Sequence, residues 1–124
     1  MPYIIVILLI ALIVSLLIFK TPKKRKGYPE LLVSGLPTVL DFYTDTCPVC
    51  QEMDPILNDL AKEFSGKVGI RKINANEEPE LSNEFEIQFV PTYILLDSTG
   101  EVVEKMVGGN PDGLRGLFEK ALKI

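Results

Sequence analysis

The chain has two cysteines, and both lie in one tetrapeptide, Cys47-Pro48-Val49-Cys50. An apolar, strand-like run, Thr38-Val39-Leu40-Asp41-Phe42-Tyr43, precedes them, and a run of helical periodicity follows. A helix that begins at the sulfurs points its unpaired backbone N–H groups and its positive dipole end at them. That environment stabilises a thiolate, the form of cysteine that attacks disulfides. The fourth position brings the second sulfur one helical turn back toward the first, within disulfide reach. Two cysteines and no histidine make a poor zinc site, which needs four ligands. A static disulfide across two residues would constrain almost nothing, because the stabilisation grows with loop length. The spacing therefore favours thiol–disulfide chemistry.

Several elements must hold that pair in place. Pro29 to Ser34 reads as a short helix closed by Gly35. Thr38 to Thr44 reads as a strand whose near-continuous apolar content suits a central position. From Pro48 to Phe64, the residues Met53, Ile56, Leu57, Leu60, Ala61 and Phe64 form one apolar helical stripe. Pro55 lies inside that helix and is expected to bend it. Val68 to Asn74 is a second strand, and Pro79 to Phe85 a short helix. Thr92 to Leu96 and Glu101 to Val107 are strands joined by the turn-like Asp97-Ser98-Thr99-Gly100, an antiparallel hairpin. Pro111 to Leu122 closes the chain as a helix. This order predicts an α/β core with helices on both faces of one mixed sheet.

The first residues differ in kind. Tyr3 to Phe19 is seventeen residues without a charge, about 25 Å long as a helix. It is apolar all round rather than striped, unlike a core helix. It also lacks the positive leading region and small-residue cleavage site of a signal peptide. The expectation is an uncleaved transmembrane anchor over residues 1–19, in contact with the lipid bilayer through residues 3–19. A basic juxtamembrane linker follows over 20–28, and one globular domain over 29–124. Lys20, Lys23, Lys24, Arg25 and Lys26 give this linker +5. From Gly27 onward there are 8 basic and 17 acidic residues, so the globular part carries −9 within a chain total of −4. A domain of that charge repels phosphates, so nucleic acid is not an expected partner. Lys and Arg on the C-terminal side of the span favour a cytoplasmic domain.

Residues 27–124 resemble the thioredoxin family. The resemblance is carried by Val39-Leu40-Asp41-Phe42-Tyr43, the cysteine tetrapeptide, Pro55 and Lys72-Ile73-Asn74. It continues in Val90-Pro91-Thr92, Gly100-Glu101-Val102 and Gly108, so that it extends over about seventy residues. Three departures stand out. Thr46 occupies the place of the family's usual Trp, Pro-Val replaces Gly-Pro between the cysteines, and the family's usual first strand is missing. The resemblance implies a thioredoxin-like α/β fold with a central mixed sheet of about four strands flanked by helices, here preceded by the transmembrane helix. It also implies a thiol–disulfide oxidoreductase. Tethered relatives more often face outward, against the charge rule.

What the resemblance implies for single residues is as follows. Cys47 is the attacking thiol, the more exposed of the pair, and Cys50 resolves the mixed disulfide. Asp41 is either an edge aspartate that reaches water or a buried carboxyl that takes the proton of Cys50. Lys72, on the adjacent strand, modulates it or is a surface lysine. Pro91 follows a cis bond that turns the Val90 backbone toward the cysteines, where it pairs with an extended substrate segment. Gly108 lines the same groove, where a residue without a side chain lets the substrate approach, or simply ends the strand. No organic cofactor or metal is implied, because the dithiol is itself the redox centre. The implied partners are proteins with disulfides or dithiols and a recycling electron donor or acceptor. Oligomerisation is not indicated. The competing reading is a non-catalytic binding or metal-handling module of the same fold, tethered to the membrane.

Overall fold

The computed structural model describes residues 2–19 and 26–124. Helix α1, Pro2–Ile18, buries none of its residues. A 3-10 turn at Pro29–Leu31 leads into strand β1, Thr38–Tyr43, helix α2, Pro48–Glu63, and strand β2, Gly69–Asn74. Helix α3, Pro79–Glu84, strands β3, Thr92–Leu96, and β4, Val102–Val107, and helix α4, Pro111–Ala121, complete the chain. The element order matches the sequence expectation, with ends shifted by a residue or two. The first predicted helix shrinks to the single 3-10 turn.

The four strands form one sheet in the order β2-β1-β3-β4. β1 pairs with β2 in parallel and with β3 antiparallel, and β3 pairs antiparallel with β4. β1 therefore lies inside the sheet, as its apolar run requires. Strand alternation sends its residues to two opposite cores. Val39 joins Tyr93 and Leu95 under α2 and α4, packed with Met53, Leu57, Leu60, Leu114, Leu117 and Phe118. Leu40 and Phe42 face the other way, with Ile94, Leu96, Ile73, Tyr28 and Phe85. Leu81 of α3 and Leu31 of the 3-10 turn cover that side. Helices thus flank both faces of a mixed sheet.

The β3–β4 turn is organised by Asp97. Its Oδ1 accepts from Thr99 N at 2.9 Å, from Glu101 N at 3.1 Å and from Thr99 Oγ1. The Thr99 hydroxyl hydrogen bond in particular holds the Asp97 carboxyl below its ordinary range. α2 continues through Pro55, which sits on its exposed side.

One expectation is overturned. α1 spans seventeen residues, about 25 Å at 1.5 Å per residue, against a hydrocarbon thickness of about 30 Å. Among the described residues no helix is long and apolar enough to cross a membrane. The transmembrane anchor, its bilayer contact and the single-pass membrane localisation are corrected accordingly. The basic cluster assigned to a juxtamembrane linker, Lys20 and Lys23 to Arg25, lies outside the described residues.

Candidate active site

The two cysteines close the first turn of α2. Cys47 is the N-cap residue of that helix, in extended conformation at φ −88° and ψ 108°. Its Sγ accepts the backbone N–H of Cys50 at 3.1 Å. A sulfur therefore occupies the place that a serine or aspartate oxygen takes at ordinary helix starts. Pro48 stands at the first helical position, where a missing N–H costs nothing. Cys47 and Cys50 are joined by a disulfide, with Cα atoms 5.2 Å apart. The two residues differ little in exposure, 9% for Cys47 and 6% for Cys50. The surface around them is supplied by Thr46, Pro48 and Val49, all exposed.

The loop from β1 to Cys47 is tied down from two sides. Asn74 Nδ2, at the end of β2, donates to Asp45 Oδ2 at 3.3 Å. Gln51 Nε2, in α2, donates to the Asp45 carbonyl at 3.2 Å. The sequence gives no sign of either Asp45 or Gln51 as a tether. Exposed polar residues beside a motif carry no pattern that separates a tether from a solvated side chain.

Val90, forty-three residues away in sequence, brings its carbonyl oxygen to 3.7 Å from Cys47 Sγ. The Val90–Pro91 peptide bond is cis. Gly108 donates its N–H to the Pro91 carbonyl at 2.8 Å, so it lies beside the same ledge. Its φ of +96° is a conformation that favours glycine, and a Cβ built there meets nothing within 4 Å. Within the fold, then, what Gly108 supplies is backbone conformation rather than room for a neighbouring side chain.

Tight packing within the fold is found at the next residue, Gly109. A Cβ on Gly109 would overlap Val49 Cγ1 and come within 3.3 Å of Met53 Cγ. Val49 is β-branched and its rotamer in a helix is stiff, so it yields only by moving the first turn of α2. Gly109→Ala is expected to destabilise the oxidised protein by about 1–3 kcal/mol, the usual cost of overpacking. Val49→Ala in the same chain should recover most of that loss. Thermal denaturation of the single and double variants checks the coupling. Full additivity would show that the two residues do not press on each other.

A cluster of ionisable groups gathers around Asp41 of β1. Asp41 is 3% exposed on the central strand, not at an edge that reaches water. Burial, reinforced by the nearby Asp54 carboxylate and partly offset by Lys72, pushes its pKa up to about 6. Register places Lys72 of β2 and Tyr93 of β3 directly beside Asp41. The Tyr93 phenol is held well above its ordinary range by burial and then by the two aspartates. Lys72 is not spent on Asp41 alone. Its Nζ lies 3.4 Å from Asp54 Oδ1, with both side chains about half exposed. Nothing in the sequence singles out Asp54, although it stands four residues after Cys50, on the same helical face one turn on.

The thioredoxin family model matches residues 21–120. The chain belongs to the thioredoxin family. Thioredoxins are thiol–disulfide oxidoreductases that work with their own redox-active cysteines and need no cofactor. The chain is 35% identical over 93 residues to "Thioredoxin M-type, chloroplastic" of Spinacia oleracea, covering 74% of this chain and 51% of that one. It is 38% identical over 90 residues to "Thioredoxin-T" of Drosophila melanogaster, with coverage of 73% and 57%. It thus spans little more than half the length of these two relatives. Among solved structures it is similar to oxidised mitochondrial thioredoxin 3 from Saccharomyces cerevisiae. There the TM-score is 0.64 at 30% identity, covering 68% of this chain and 77% of that one. Within this thioredoxin, the Val90 carbonyl meets the Cys47–Cys50 pair at the start of α2, and Asp41 is buried on the preceding strand β1.

Proposed function

We propose that this thioredoxin exchanges disulfides with protein substrates through Cys47 and Cys50. The observation that carries the reading is the seat of Cys47 Sγ. It caps α2, accepts the Cys50 N–H at 3.1 Å and lies 3.7 Å from the Val90 carbonyl. Once reduced, this sulfur is stabilised as a thiolate by the helix N-terminus and the Cys50 N–H.

The Cys47 thiolate attacks one sulfur of a target disulfide. A bond forms from Cys47 to that sulfur, the target S–S bond breaks, and the departing sulfur leaves as a thiolate that takes up a proton. Cys50 then gives its proton to the Asp41 carboxylate, and the resulting thiolate attacks Cys47 Sγ. The Cys47–Cys50 bond forms, the mixed disulfide breaks, and the second target sulfur leaves as a thiolate. Two electrons pass from the dithiol to the target. The steps are reversible, and the recycling donor or acceptor sets their direction. Lys72 modulates Asp41 electrostatically.

An extended substrate segment pairs with the backbone of Val90, ahead of Pro91, in the manner of an added strand. Gly108 flanks that ledge. Val49, Phe89 and Val107, exposed by 41%, 68% and 53%, surround it with apolar surface that suits an unfolded or extended protein segment.

Cys50→Ser tests the order of attack. With Cys50 unable to resolve, the reduced variant is expected to accumulate a covalent adduct with a disulfide-bearing protein such as insulin. The adduct appears on non-reducing gels and disappears with dithiothreitol. A Cys47→Ser/Cys50→Ser chain should form none. Failure of Cys50→Ser to form the adduct would assign the attack elsewhere.

A further inference from the structure

Asp41 is faced by ionisable groups from three elements. From β2 comes Lys72, from β3 the phenol of Tyr93, and from α2 the carboxylate of Asp54. α2 also turns Cys50, Met53 and Leu57 inward, and α4, packed on the same face, presents Leu114, Leu117 and Phe118. Lys72 is the one cation in this set. Neighbouring strands lie about 4.8 Å apart, well within the reach of a lysine stem. The register alone would therefore let the Lys72 ammonium settle against Asp41. It is found instead with its Nζ 3.4 Å from Asp54 Oδ1, among half-exposed side chains.

We propose that Asp54 is a positioning residue that anchors the Lys72 ammonium at the outer end of the cluster and so holds the cation off the Asp41 carboxyl. The inference rests on the reading of Asp41 as the proton acceptor for Cys50. An acceptor that must both take and release a proton near neutral pH works best when its two forms are nearly balanced. A buried carboxylate with a free ammonium against it stays ionised and is a weak base. Asp54 prevents this in two ways: it neutralises Lys72, and it adds a like charge of its own. The like charge of Asp54 raises Asp41 more than Lys72, held where it is, lowers it; the positioning effect is the part of the Asp54 influence that depends on Lys72 being present.

The test is a double-variant cycle in the full-length reduced protein. The Asp41 carboxyl is titrated by carbon-detected NMR in the parent chain, Asp54→Asn, Lys72→Met and the double variant. The ion pair is half exposed and adds little to stability, so all four chains are expected to fold. Asp54→Asn should lower the Asp41 midpoint by about one pH unit. In the Lys72→Met background the same substitution should still lower it, through loss of the like charge, but by a clearly smaller amount. The pH midpoint of mixed-disulfide resolution should follow the NMR midpoint. An unchanged midpoint in Asp54→Asn, or an equal shift in both backgrounds, would overturn the positioning role. The Asp41 reading fails separately: if Asp41→Asn leaves the resolution rate untouched, Asp41 is not the acceptor, whatever Asp54→Asn does to its midpoint.

Discussion

Cys47→Ser should abolish disulfide exchange while leaving the fold in place. A serine hydroxyl is not ionised at neutral pH, and the helix start that stabilises a thiolate cannot supply a comparable alkoxide. Turnover of a protein disulfide is expected to fall at least roughly 10³-fold, to the rate of the external reductant alone. Structure, by contrast, has little to lose. Cys47 is the N-cap of α2, and serine is among the best residues at such a position. The disulfide closes a very short loop and stabilises the chain only slightly. Insulin reduction measures the first quantity, and circular dichroism with thermal denaturation the second. Retained turnover in a folded Cys47→Ser chain would remove Cys47 from the chemistry.

Asp41→Asn should stabilise the protein at neutral pH and slow its catalysis. The Asp41 carboxyl sits at about 6 in the fold against an ordinary 3.8, chiefly because it is buried. The folded state therefore binds the proton more tightly than the unfolded chain. Stability associated with that proton is fully present below pH 3.8 and is lost as pH rises through about 6. Above that range the buried carboxylate is a net cost. A shift of about two units at 1.36 kcal/mol each puts the cost at up to about 3 kcal/mol. Asparagine keeps the shape and removes the charge, so its advantage should be absent below pH 4, grow between pH 4 and 6, and level off above pH 7. Urea denaturation of the oxidised proteins across that range measures it. A difference that does not vary with pH would show that Asp41 is not buried as a charge. In the reduced protein the same substitution should slow resolution of the mixed disulfide by on the order of 10²-fold, the usual worth of a positioned base.

Both predictions turn on residues that were visible in the sequence, but to different degrees. The cysteine pair and its helix were legible because their signals are local. The apolar stripe from Met53 to Phe64 needs only the period of a helix, and a sulfur at the first turn needs only the strand–helix junction. The same holds for β1, whose apolar run demands cover on both faces and obtains it. The N-terminal segment shows the limit of that kind of reading. Composition made it apolar all round, but crossing a bilayer is also a matter of length, and α1 ends at Ile18.

Asp41 left two readings open in the sequence, since burial belongs to neighbours that arrive from β2, β3 and α2. Lys72 was visible as a charge near Asp41, but its partner Asp54 was not, because an ion pair across eighteen residues leaves no periodic trace. The two glycines before α4 make the same point. Gly108 is legible in the sequence as a groove residue or a strand end, but its positive φ and the packing of Gly109 against Val49 and Met53 are not, because both depend on how the β4–α4 link meets α2.

Spacings within a few turns or one strand suffice to specify the cysteine pair, the order of the elements and the central place of β1. The long-range contacts came with the fold: the Val90 carbonyl at Cys47, the burial that raises Asp41 and the placement of Lys72 on Asp54. The two sets differ in range. Hydrophobic periodicity and helix capping act between near neighbours, whereas desolvation and charge pairing depend on which distant segments the sheet lays side by side.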